Sequence, residues 1–522
     1  MKITLFNDGE QQVPFRIFFK NDGEWCNAQK IYVKEDGSWK QAFEYLTREF
    51  MIFVGDDTDT GSASGPGYFV GNAYYTSLEI VSDGYIIGGA RRKDASSAGL
   101  LYMTKISKTG QRLWEVQIDN TYTNGYGGGS GTNGNSRISE IREDDSGNLY
   151  VAVQATVGYT TAAMLIKFSS EGVLLWQQRW AYPADYSPHT PYALEFNDDG
   201  DPTVWGNYSY SLPYPPGGQN HGFVYTFAAS DGTRSTNRTW VAGPTGLSGA
   251  SIQHVAKISD HFYFQFSGGV TFSPNQGQRG FSSLIKTNMG GDTKVAIDGN
   301  WINTYSNLYY YNGVRTNGTD LLASTHIHST SNLDFHVLNT SLTHLYNWRI
   351  NNSTSGYDGN PYFSRNYVYD GDFCYFAYPS SSTSKEIIHF VKFNVTTGAI
   401  SWQNKMVGDS NNKLDITSSQ PQLQLDSDGY LVYLGSTNQT ELYDDATILL
   451  VFKLPTDGTG HGSYGNYTYS TSTEISISST SEPTGGDHGI YASTATPTDY
   501  GSPGFTTSSP NIPLTRTNKT SA

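Results

Sequence analysis

The residue types that could do chemistry are scattered along this chain, and few are spaced so as to converge. Four histidines, His326, His328, His336 and His344, fall close together, with Asp334 among them. On a strand, His326-x-His328 would turn both rings to one face, as a metal pair requires. Ligands from separate turns would still have to meet, and polar strand and loop histidines on a large surface are the plainer reading, so no metal is assigned. Asp57-Thr58-Asp59-Thr60-Gly61 alternates oxygen ligands like the first half of a calcium loop, and Asp426-Ser427-Asp428-Gly429 is similar. Neither is followed at the right offset by a bidentate Glu, and a plain loop and a strand-to-strand turn account for them. The run Gly125 to Gly131 lacks the Lys-Ser/Thr and the helix of a phosphate cradle. There is no nucleophile elbow, and no cofactor is expected. Paired carboxylates for glycoside cleavage are set by tertiary spacing, which sequence does not report.

Tyrosine, at 38 residues, is the type most in excess. Its clusters at Tyr208, Tyr210 and Tyr214 and at Tyr309, Tyr310 and Tyr311 are candidate binding positions, because Tyr offers rigid amphipathic contact area at low entropic cost. Tyr is also a favoured strand residue, so the structural reading stands beside the functional one.

The elements that must position these residues are strands. Near the start, Ile17 to Trp25 overlays Ile31 to Trp39 with a period of 14 residues, and a weaker copy spans Ile3 to Gln11. Asp-Gly between β-prone residues suits a type I′ turn, so the segment predicts consecutive small hairpins. Such units bury little alone, and Phe18, Trp25, Tyr32 and Trp39 are expected to pack against another domain or chain. Ile31 to Lys40 resembles short modules of tailed-bacteriophage tail and baseplate proteins. That resemblance implies a particle-docking role for residues 1–45.

From about residue 76 to 455 a longer unit recurs: an Asp/Asn-Gly turn, a β-rich run, a polar loop, an apolar run ending in Lys-apolar, then a turn and often Trp. Its clearest copies run from Asp83-Gly84 through Lys105 to Trp114, and from Gly147-Asn148 through Lys167 to Trp176. Seven copies can be counted, each with four strand-sized runs, which predicts a seven-bladed β-propeller over residues 46–480. Trp114, Trp176 and Trp402 are expected to be buried staples between blades.

Gly147 to Trp176 resembles seven-bladed repeats of bacterial and viral proteins. Thr396-Thr397-Gly398-Ala399-Ile400-Ser401-Trp402 is similar to the docking turn of quinoprotein propellers, which implies packing rather than a quinone site. The aspartate box of sialidase propellers is not matched, because Asp and Gly are adjacent here. Glu474 to Ser478 is a further strand and a candidate for closing the last blade. Residues 481–522, rich in Ser, Thr, Pro and Gly, read as an extended tail.

A length of 522 residues suffices for a large core, and only 16% of residues are charged. The net charge of -15 argues against nucleic acid as a partner. No apolar stretch near Met1 suits a signal peptide or membrane span, so synthesis in a cytoplasm and no membrane insertion are expected. Cys26 and Cys374 indicate neither a disulfide framework nor a zinc site. Together these readings give an all-β chain, a hairpin module followed by a propeller. They place it in the virion as a bacteriophage tail, baseplate or fibre protein without enzymatic activity. Its expected partners are other virion proteins and a host surface glycan, and it is expected to be oligomeric in the particle. The alternatives are a particle-bound glycan-degrading enzyme and a purely architectural decoration.

Overall fold

In a computed structural model the described residues are 18–21, 24–27, 30–35, 38–44, 50–54, 77–91, 100–119, 137–157, 160–181, 189–212, 217–242, 247–271, 278–288, 295–298, 309–327, 332–352, 365–382, 385–408, 412–415, 421–439, 447–464, 467–480, 490–493, 498–499, 506–508 and 514–518. Before residue 77, beyond 480 and at many strand ends, only the backbone is described. Every regular element among them is a β-strand. Two compact units result, Met1–Arg48 and Glu49–Ala522.

In the first unit Phe18–Asn21 pairs with Glu24–Asn27, and Lys30–Glu35 with Ser38–Glu44, both antiparallel. Asn21 faces Glu24 and Glu35 faces Ser38, so each connection is the two-residue Asp-Gly link that the 14-residue period predicts. The weaker copy at Ile3 to Gln11 lies outside the described residues.

The second unit is the propeller, with seven four-stranded antiparallel sheets in chain order. Blade 1 runs Ser77–Val81, Gly84–Arg91, Leu100–Ser107 and Arg112–Asp119. Blade 2 runs Arg137–Glu143, Leu149–Val157, Thr160–Phe168 and Leu174–Ala181, and blade 3 His189–Phe196, Pro202–Leu212, Gly217–Phe227 and Arg234–Ala242. Blade 4 spans Leu247–Ile258 to Val295–Asp298, blade 5 Tyr309–Thr316 to His344–Asn352, and blade 6 Tyr367–Asp370 to Ile400–Gly408. Blade 7 has Gln422–Leu425, Tyr430–Gln439 and Thr447–Pro455. Its fourth strand is Phe50–Val54, which precedes blade 1 in the chain. The ring is therefore closed by hydrogen bonds between distant parts of the chain, which leaves no open seam. At that seam Gln422 Oε1 accepts from Leu78 N at 2.9 Å, and Tyr85 donates to the buried Asp426 at 2.6 Å.

Glu474 to Ser478 does not close the last blade. The strand Ile475–Ser479 pairs instead with the outer strand of blade 5, because Gln403 of blade 6 holds both the N–H and the carbonyl of Ile475 and turns the chain backward. From there the chain adds fifth strands in reverse order: Ile490–Ser493 on blade 3, Thr498–Asp499 on blade 2, Thr506–Ser508 on blade 1 and Leu514–Asn518 on Phe50–Val54 of blade 7. This belt caps outer edges that would otherwise present unpaired backbone groups.

The repeat's Lys and Trp have one structural job. Trp114 Nε1 donates to Ser170 O at 2.9 Å, Trp176 to Ala229 O at 3.2 Å, Trp348 to Val395 O at 2.6 Å and Trp402 to Thr456 O at 2.8 Å. Each bond joins one blade to a turn of the next. Lys167 and Lys286 donate to the corresponding turn carbonyls of Ala229 and Thr340 at 2.8 and 2.9 Å. Gly398, at φ +72°, rests on the Trp348 ring, where a Cβ would come within 2.4 Å of it. The stapling role of the Trp positions holds, with one amendment: these rings are partly rather than fully buried, because their N–H must reach a surface turn. Among the described residues Trp180 and Trp205 are the fully buried tryptophans.

Candidate active site in the central channel

Seven inner strands line the axis of the ring, each beside the next from blade 1 round to blade 7 and back. The ladder register assigns one residue of each to a common level: Glu79, Arg142, Glu195, Ala256, Arg315, Val368 and Gln424. Charged residues crowd here because three of these strands come from the blades whose sequences read Glu79, Glu140-x-Arg142 and Glu195.

Arg142 is the hub. Its guanidinium lies 3.0 Å from Glu79 Oε2, 2.7 Å from Glu140 Oε1 and 3.9 Å from Glu195 Oε2, while its Nε donates to Leu194 O at 3.2 Å. Burial opposes its charge, and the three carboxylates more than offset that, so its pKa rises. Burial pushes Glu79 up to about 7, with Arg142 opposing and Glu140 adding to the rise. Burial also raises Glu195. The three carboxyl groups differ in how fully they are engaged. Glu140 holds Arg142, Leu194 N and Arg365, and Glu79 holds Arg142 and Glu143 N. Glu195 has the 3.9 Å contact with Arg142 and a backbone hydrogen bond at Phe196, and is 25% exposed. Glu79 and Glu195 are thus held on one guanidinium.

Arg365 of blade 6 spans the channel. Its guanidinium donates to Ser139 O of blade 2 at 2.7 Å and to Tyr192 O of blade 3, and lies 3.5 Å from Glu140. Both inner strands carry a bulge at this level, between Ile138 and Glu140 and between Pro191 and Ala193, so Ser139 and Tyr192 fall outside the ladder register. His254 of blade 4 is buried, and that burial, with the Arg365 and Arg315 charges, lowers its pKa well below the usual histidine value.

Sequence reasoning did not single out Glu79, Glu140, Arg142, Glu195, Arg315 or Arg365. The available signal was charge in strands otherwise built of Ile, Leu and Val, just before the Asp-Gly turns. Of the histidines, His336 and His344 meet, with ring centroids 5.4 Å apart. His336 bonds Thr325 at 2.8 Å and Asn347 at 2.7 Å, Asp334 is held bidentately by Arg349, and His344 bonds Asn347 at 2.9 Å. Among the described residues no group of three His, Cys, Asp or Glu could hold a metal ion. His328, Asp57 to Gly61 and Tyr214 lie outside the described residues, as do the side chains of His326, Tyr208, Tyr210, Tyr309, Tyr310, Tyr311, Phe18, Trp25, Tyr32 and Trp39. Asp426 accepts from the N–H groups of Asp428 and Tyr430, which is turn geometry, and from Tyr85 and Lys453.

No protein-family model matches the chain, and no curated protein matches it. Similar solved structures include the polysaccharide lyase Uly1, at 10% identity and TM-score 0.46, over 79% of this chain and 98% of that one. A ulvan lyase bound to -[GlcA(1-4)Rha3S]- is similar at 8% identity and TM-score 0.43, over 74% of this chain and 94% of that one. The phage phi92 endosialidase is similar at 11% identity and TM-score 0.36, over 82% of this chain and 72% of that one. Identities this low transfer no residue role. The expectation that the chain has no enzymatic activity is nevertheless corrected: structures similar to it include polysaccharide lyases. Sequence spacing could not report on paired carboxylates, because the carboxyl groups near the axis come from separate blades.

Proposed function

We propose that this chain is a glycan-cleaving propeller carried on a bacteriophage tail, baseplate or fibre, with the hairpin unit at residues 1–45 joining it to other virion proteins. The observation that carries the cleaving role is Glu79, a carboxyl group with a pKa raised to about 7, held on the same guanidinium as Glu195. A carboxylic acid that keeps its proton near neutral pH can protonate a glycosidic oxygen, while a second carboxylate activates water. Glu195, the more exposed and less engaged group, takes the base role, and Arg142 positions both. The particle assignment rests on the resemblance of Ile31 to Lys40 to tail and baseplate modules.

The test is incubation of the full chain with a panel of purified bacterial capsular and lipopolysaccharide glycans, scored by new reducing ends. Release by the wild type, abolished in Glu79→Gln with a melting temperature no lower than that of the wild type, supports the reading. Equal release by both proteins, or none from any glycan, overturns it.

A further inference from the structure

Blade 6 stands three places from blade 2 and three from blade 3 round the ring, so its Arg365 must cross the axis to reach either. It reaches both. Its buried guanidinium takes the carbonyls of Ser139 and Tyr192, the two residues that the bulges put outside the ladder register. Two bulges at one level, each handing a carbonyl to the same side chain, make a fixed seat for a cation.

That seat adjoins the network around Glu79. Glu140 offers Oε1 to Arg142 at 2.7 Å, and Oε2 to Leu194 N at 3.0 Å and to Arg365 at 3.5 Å. Arg142 in turn lies 3.0 Å from Glu79. Three carboxyl groups, Glu79, Glu140 and Glu195, thus share the channel with three guanidiniums, since Arg315 of blade 5 also feels Glu140 and both other arginines. Their charges balance when all of them are ionised. His254 feels Arg365 and Arg315 and stays neutral, and Lys257, which also acts on Glu195, is paired with Asp198 at 2.6 Å.

We propose that Arg365 is a positioning residue for Glu79: seated across the axis, it fixes Glu140 against Arg142 and supplies the charge that balances the three carboxyl groups. The proposal rests on reading Glu79 as the acid, and names what regulates its proton. Removing one guanidinium leaves an excess of negative charge in the channel, and carboxyl groups in such a field hold their protons more tightly. The route through Glu140 has the same sign. Without Arg365, Glu140 draws harder on Arg142 and weakens its hold on Glu79. Arg365 therefore keeps the acid able to release its proton at neutral pH.

The experiment is denaturant unfolding of the full chain across the pH range in which Glu79 titrates, for the wild type, Arg365→Gln, Arg365→Lys and Glu140→Gln. Each is measured alone and with Glu79→Gln, so that the difference isolates the titration of Glu79. In the wild type that difference has its midpoint at about pH 7. Arg365→Gln keeps a donor without the charge, and its midpoint should rise by roughly 1 pH unit. Arg365→Lys should restore the wild-type midpoint, and Glu140→Gln should lower it, because the Glu140 charge raises Glu79. A residue that merely braces the ring would lower stability equally at every pH. An unmoved midpoint in Arg365→Gln therefore overturns the proposal, as does an equal shift in Arg365→Lys. If Arg365→Gln does not fold, Glu140→Gln decides, and a midpoint that fails to fall overturns it. The readout needs no substrate: an unmoved midpoint beside Glu79-dependent cleavage overturns the role of Arg365 alone, and absence of cleavage beside the expected shift overturns the proposed function alone.

Discussion

One row of the β-ladder, followed across the propeller, gives two different answers at its two ends. On the third strands the row passes through Lys105, Lys167, Thr226, Lys286, Val337, Lys392 and Lys453. On the inner strands the same row holds Glu79, Arg142, Glu195, Ala256, Arg315, Val368 and Gln424. The outer position solves one packing problem, joining a blade to its neighbour's turn, and the same solution recurs. Nothing recurs at the inner position, where seven different blades meet on one axis and each residue can serve a different purpose. The repeat therefore marks the scaffold, and the place where it breaks marks the candidate site.

The sharpest test of that contrast is stability. Trp180→Ala removes a fully buried ring packed against Phe223, Tyr225 and Phe227, and should cost about 4 kcal/mol in chemical denaturation. Trp402→Ala, partly buried but bonded to Thr456 O, should cost about 2 to 3 kcal/mol. A negligible change in both would show that the stapling layer does not hold the ring.

Glu79→Gln should move stability the other way. A carboxyl group whose folded pKa is raised contributes fully below its unfolded value of 4.5, and that contribution is lost as pH rises through about 7. The wild type should thus lose up to about 3 kcal/mol relative to the variant between pH 4.5 and above 7. Parallel stability-pH curves would remove the basis for Glu79 as an acid.

A smaller effect is expected from Lys167→Met, about 1 kcal/mol, because Trp176 still donates to the same Ala229 carbonyl. The double variant with Trp176→Ala should lose more than the sum of the single changes, since only the long 3.4 Å bond from Tyr150 would then reach Ala229 O. Simple additivity would separate the two bonds and weaken the picture of a shared staple.

Much of the scaffold is legible in the order of the residues. Asp22-Gly23 and Asp36-Gly37 specify two-residue hairpin links by local backbone preference alone, and the spacing from Asp83-Gly84 to Lys105 and Trp114 repeats often enough to count blades. These are short-range signals, written in consecutive residues. Trp348 escapes notice as a staple because its blade keeps the ring but not the Lys-Trp spacing.

The site is not legible in the same way, for a physical reason. Glu79, Arg142 and Glu195 lie on three consecutive blades, and their proximity exists only once the inner strands of those blades pack side by side. Likewise Arg365 meets Ser139 and Tyr192, well over a hundred residues away, only across a closed axis. Local composition and turn chemistry determined that this chain would make strands, hairpins and seven repeating sheets. Packing of the blades around the axis decided which charges share the channel and how far burial raises Glu79, because desolvation and ion pairing depend on distances that sequence spacing does not encode.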